Sequence, residues 1–90
     1  MMEFTAKDYE KLTYWDIEGF GETYKVQING GIYAAVVIQS DQSKDDIYFF
    51  SECESGYFHY ATHRKNCIKR GEEENSIDRF VLEMKGLVVN

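Results

Sequence analysis

Between Thr23 and Ile38 the chain leaves itself little freedom. Tyr24, Val26 and Ile28 alternate with Thr23, Lys25 and Gln27, which gives an extended segment one apolar and one polar face. Asn29-Gly30-Gly31 follows, residue types that tolerate positive φ, and then an apolar run from Ile32 to Ile38. Strand, tight turn and strand make a β-hairpin. The second arm is apolar on both faces, so it belongs in the interior of a sheet with cover on each side. An antiparallel sheet is therefore the frame into which the rest of the chain must fit.

Two more strands are legible. Ile47-Tyr48-Phe49-Phe50 follows the polar turn 41–46 and ends at Glu52 and Glu54, and Tyr57-Phe58-His59-Tyr60-Ala61 follows the Ser55-Gly56 turn. A meander is the economical connection. Towards the C-terminus, Ile77, Phe80, Val81 and Met84 have helical spacing after an Asn75-Ser76 cap, with Gly86 as a stop. Phe80, Leu82 and Met84 also alternate as in a strand, but the many helix formers decide for a helix. Thr5 reads as an N-cap for a short helix over 6–13, with a loop or short edge strand over 14–21. The expected fold is α+β: a small antiparallel sheet of about four strands, a meander with a central hairpin, packed against a C-terminal helix, with a short N-terminal helix.

Ninety residues without a single proline, repeat or flexible linker imply one domain, 1–90. Its core is supplied by aromatics, with 7 Tyr, 6 Phe and 1 Trp, each burying far more area than Val or Ala. Two cysteines, Cys53 and Cys67, are too few for a disulfide scaffold. The N-terminus lacks a basic and apolar leader pattern, and no apolar stretch reaches the length of a membrane span. A cytoplasmic protein is expected.

Charge is distributed unevenly. Residues 1–56 hold four Lys and Arg against eleven Asp and Glu, a charge of −7, whereas residues 57–90 hold six against five, or +1. An acidic field of this kind disfavours direct nucleic-acid binding and favours basic protein surfaces. Asp41, Asp45, Asp46, Glu52 and Glu54 gather about one turn and one strand. If Ile47 and Phe49 face inward, Asp46, Tyr48, Phe50 and Glu52 face outward together. Acids that steer association, set among aromatics that anchor it, make Asp41, Asp45, Asp46, Tyr48, Glu52 and Glu54 the expected partner-binding set. The same residues also suit an ordinary solvated edge strand.

A second constellation is the segment 57–70, where Tyr57 and Tyr60 are positioned to stack bases while Arg64, Lys65, Lys69 and Arg70 neutralise phosphates. The plainer alternative is that these cations pair locally with Glu72-Glu73-Glu74. A third is Cys53, His59, His63 and Cys67, the right atoms for a Cys2His2 zinc site but without the usual Cys-x-x-Cys knuckle. Catalysis is not expected. Asp45 and Asp46 point apart on a strand, no nucleophile elbow or phosphate loop occurs, and neither histidine has an identifiable partner.

These observations lead to a non-enzymatic acidic protein, with no cofactor, that docks on a basic protein surface. The foremost expectation is an inhibitor of a nucleic-acid-binding or nuclease partner, because an acidic face competes directly with a polyanion. In general character the chain resembles small acidic inhibitors encoded by phages and mobile elements, including anti-defence and anti-CRISPR-like inhibitors, and toxin-immunity proteins. The alternatives are a nucleotide or RNA-binding module built on 57–70 and a zinc-stabilised module. A homodimer through aromatic faces is compatible with each.

Overall fold

The computed structural model describes residues 12–87. It contains β1 (Leu12–Thr13), α1 (Tyr14–Glu18), β2 (Glu22–Ile28), β3 (Gly31–Ile38), β4 (Lys44–Glu54), β5 (Tyr57–Lys69) and α2 (Glu73–Leu87). The strands form one antiparallel sheet in the order β1-β5-β4-β3-β2, so the expected α+β meander packed on a C-terminal helix is the fold observed. Among the described residues no helix is long and apolar enough to cross a membrane.

The hairpin signal is realised as β2 and β3, in unbroken register from Glu22↔Val37 to Ile28↔Gly31. Asn29 and Gly30 both take positive φ, 50° and 85°, the type I′ combination whose twist matches that of the flanking strands. The apolar run of β3 lies between two cores. Ala35 and Val37 join Ile28, Ile47, Phe49 and Ile68 beneath α2, while Ala34 and Val36 join Ile17, Phe50 and Phe58 on the opposite face. Alternation in a fully buried strand thus serves two layers at once.

α2 meets the sheet through Ile77, Phe80 and Met84, all buried, with Phe80 edge-on to Phe49 at 5.3 Å between ring centroids. Phe49 is in turn stacked on Tyr33 at 5.0 Å. The helix starts at Glu73 and runs through Gly86, earlier and later than the cap and stop expected from Asn75-Ser76 and Gly86. Ser76 does not cap the helix but ties the end of β5 to it, its buried Oγ accepting the N–H of Lys69 at 3.1 Å.

The N-terminal region departs from expectation. Of the helix expected over 6–13, residues 6–11 lie outside the described residues, and Leu12–Thr13 are strand, paired with Phe58 and Tyr57. The short helix is α1 instead, in the segment expected to be loop or edge strand. A capping box explains it: Thr13 Oγ1 accepts the Asp16 N–H, and the Asp16 carboxylate accepts the Thr13 N–H at 3.0 Å. That carboxyl is held below its ordinary range by the Thr13 side-chain and backbone hydrogen bonds.

β5 is the larger correction. The strand expected over Tyr57–Ala61 continues to Lys69, accommodated by register irregularities against β4 and by a left-handed Asn66. β4 is accordingly an interior strand between β3 and β5, not a solvated edge.

Candidate functional site

Where α2 begins, it lies against the edge strand β2. Glu22 and Tyr24 from β2 and Gly71, Glu72, Glu73, Glu74 and Asn75 from the β5–α2 junction line an open groove of about 340 Å³. Two sequence features produce it. Alternation puts Glu22 on the same face as Tyr24 and Val26, the helix side. Gly71, at φ 84°, turns the chain so that the Glu run opens α2 beside that face. Acids in a first turn are favoured by the helix dipole, so the run also stabilises the helix it starts.

The electrostatics of the groove register on its aromatic floor. The Tyr24 phenol is pushed well above its ordinary value by burial first, then by a side-chain hydrogen bond to Glu22 and by the charges of Glu22, Glu73 and Glu74. Glu72 is partly neutralised: its carboxylate pairs with Lys69 at 2.8 Å, which holds its pKa down. Glu73 Oε2 is buried and has no hydrogen-bond partner among the described residues. A buried acceptor left unmatched favours any donor that can reach it. An aromatic floor with carboxylate walls is suited to a cationic side chain.

The expected partner-binding set is dispersed. Asp45 is buried, 7 % exposed, on the helix side of β4, and its carboxylate binds Arg70 Nε at 2.7 Å and the Ser40 N–H at 3.4 Å. It is part of the fold and not of an outward row. Asp46 accepts the Asn66 N–H at 2.9 Å across the bulge. Phe50 is 2 % exposed, buried with Ile17 and Phe58, and Tyr48 is half-buried and stacked on His63. Asp41 and Glu54 are exposed and Glu52 half-buried, but Asp41 precedes β4 whereas Glu52 and Glu54 end it. An extended strand separates those ends by roughly 25–30 Å.

The basic segment is largely spoken for. Arg64 pairs with Glu83 and lies over the Phe80 ring, Lys69 pairs with Glu72, and Arg70 binds both Asp45 and the Ser40 carbonyl. Lys65 is exposed with no ion-pair partner among the described residues. Tyr57 is exposed, whereas Tyr60 is half-buried, edge-on to Phe50 and hydrogen-bonded to His63. Local pairing, not a phosphate-facing row, is what this window forms.

The four sulfur and imidazole residues do not converge. Cys67 packs on the helix-side core, where burial pushes its thiol up, while His63 stacks with Tyr48 on the other face. His59 and Cys53 are exposed near the far end of the sheet, and both cysteines are free thiols. Among the described residues no group of three such ligands could hold a metal ion.

Glu22, Tyr24, Glu73 and Glu74 are not marked as a site by the sequence. Glu72-Glu73-Glu74 is visible there, but only as local counter-charge for the basic segment, and Glu22 is one polar residue at a strand's start. Nothing in the pattern pairs them until α2 packs on β2. With fold and groove defined, the molecule is a small α+β protein bearing an anionic groove. Comparison with protein families, with curated proteins and with solved structures finds no match to the chain.

Proposed function

We infer that the protein is a non-enzymatic acidic binding protein that docks on a basic surface of another protein, and that an inhibitor of a nucleic-acid-binding partner is the form this takes. The observation that carries the reading is the groove in which Glu22, Glu73 and Glu74 surround Tyr24. Its site is thus not the outward row on β4 but the junction of β2 and α2. The charge balance supports the same direction. Arg64, Lys69 and Arg70 are matched by acids of this chain, so the net −6 is expressed by acids elsewhere. Such a field accelerates encounter with a basic partner and repels nucleic acid.

The test is capture of partners from the native host lysate at low and high salt, with wild-type protein and with the triple variant Glu22→Gln, Glu73→Gln, Glu74→Gln. A basic partner retained at low salt by the wild type and lost by the variant is the expected result. Equal retention by both refutes the reading. Recovery of RNA or nucleotide, lost on Lys65→Ala, would transfer the function to the basic segment instead.

A further inference from the structure

The sheet has two very different edges. At one, β5 is paired among the described residues through Tyr57 and Phe58 to β1, and its remaining length is irregular: the register against β4 shifts repeatedly, and Asn66 sits at φ 55°. Bulges, left-handed residues and the cations Arg64, Lys65 and Lys69 all discourage strand addition there. At the other edge, β2 runs for seven residues in unbroken register with β3. It contains no proline, and no strand among the described residues pairs with its outer side. β2 has neither bulge nor proline, and of its two charged side chains Lys25 is drawn aside over the Tyr14 ring while Glu22 faces the groove.

The hairpin turn decides which backbone groups that edge offers. A two-residue turn closes on Ile28 and Gly31 as a hydrogen-bonded pair. Alternation then directs the groups of Ile28, Val26, Tyr24 and Glu22 towards β3. The N–H and C=O of Thr23, Lys25 and Gln27 point outward. On the helix side of this same edge lie Glu22, Tyr24, Glu73 and Glu74, with Glu73 Oε2 unmatched. On the opposite side Lys25 is held over the Tyr14 ring, 4.4 Å from its centroid.

We propose that β2 is a docking edge for an extended segment of a partner protein carrying Lys or Arg at every second position, which adds to the sheet as a further strand. The proposal rests on the acidic-docking reading above and specifies its occupant. Main-chain bonds to Thr23, Lys25 and Gln27 supply affinity without regard to sequence, and side-chain alternation supplies selection. Residues of the incoming strand on the helix side meet the carboxylates, and those on the other side lie near Lys25. The pattern selected is basic, neutral, basic. A second copy of this chain is a poor occupant, since pairing β2 antiparallel with itself over its full length sets Lys25 directly opposite Lys25.

The probe is an acetylated, amidated peptide of alternating arginine and threonine, titrated into the isotope-labelled full chain and followed by amide shifts and hydrogen exchange. Protection of the Thr23, Lys25 and Gln27 amides is expected. Affinity should fall about tenfold when alternate peptide nitrogens are methylated, and about tenfold when the protein carries Glu73→Gln and Glu74→Gln. A peptide of the same composition with its arginines in one block should bind more weakly. Lys25→Pro removes an outward donor without breaking a β2–β3 bond, and the methylated peptide makes the same cut should that variant fold poorly.

If neutralising the glutamates abolishes binding while methylation does not, and the three amides exchange as in the free protein, strand addition is refuted and acidic docking survives. Binding that ignores the glutamates refutes the charge selection and with it the proposal. Absence of binding at millimolar peptide, or a salt-insensitive dimer through β2, also overturns it.

Discussion

Asp45 and Arg70 offer the sharpest check on the assignment of roles, because the structure makes them a lock and not a contact surface. The Asp45 side chain is 10 % exposed and that of Arg70 39 %, with 2.7 Å between carboxylate and Nε. A hydrogen bond between charged groups contributes about 1.5–3 kcal/mol, less where a partner stays in contact with solvent. After Asp45→Ala, Arg70 retains the Ser40 carbonyl and enough solvent to rehydrate, so the loss is expected at the low end, about 1.5–2 kcal/mol. Arg70→Ala is the worse substitution. It leaves a largely buried carboxylate, among the described residues, with the long bond from Ser40 N–H alone, at about 2–3 kcal/mol. In a domain of this size about 2 kcal/mol corresponds to roughly 8–16 °C in melting midpoint. Urea and thermal unfolding followed by circular dichroism measure both variants, and the double variant should fall short of additivity by about 1 kcal/mol. Asp45→Ala more damaging than Arg70→Ala, or simple additivity, would refute the account. Any loss of partner binding on charge reversal at Asp45 is then to be read as loss of fold.

Four further outcomes are expected. Phe49→Ala, which removes a ring held between Tyr33 and Phe80, should cost about 3–5 kcal/mol in urea unfolding with little change in the denaturant slope. Gly21→Ala places a methyl group into the Val37 carbonyl and should destabilise by about 2 kcal/mol or more, whereas Gly19→Ala, which meets only ordinary contacts, should not. The raised Tyr24 pKa means that the folded state holds its proton more tightly than the unfolded state. Its contribution is therefore complete below the ordinary phenol pKa and is lost as pH rises above it, so stability should fall above about pH 10 and fall less steeply in Tyr24→Phe. Trp15 is 82 % exposed on α1, so its fluorescence should be quenched by neutral acrylamide almost as efficiently in the folded protein as in urea. A buried, unquenched indole would contradict the placement of α1.

The local pattern of this chain was sufficient wherever one physical rule acted alone. Strict alternation before Asn29-Gly30 specified the β2–β3 hairpin, a run apolar on both faces specified an interior strand, and Ile77, Phe80 and Met84 at helical spacing specified the face α2 buries. Competing rules obscured the rest. Tyr14-Trp15-Asp16-Ile17 alternates like a strand, yet Thr13 and Asp16 close a capping box, and two reciprocal hydrogen bonds outweigh the pattern. In 62–69 the density of polar residues resembles a loop, yet the ladder to β4 continues because bulges absorb the mismatch. Burial of Asp45 was invisible because it requires Arg70, which reaches it only when β5 returns beside β4.

Residue types and their spacing alone thus determined the class of fold, the faces of its strands and the acidity of the whole. Which charges cancel and which remain was decided only by tertiary structure. Electrostatic interaction depends on distance in space, and it is the packing of α2 across β2 that brings Glu73 and Glu74 to Glu22 and Tyr24 while Arg64, Lys69 and Arg70 turn to acids of their own chain.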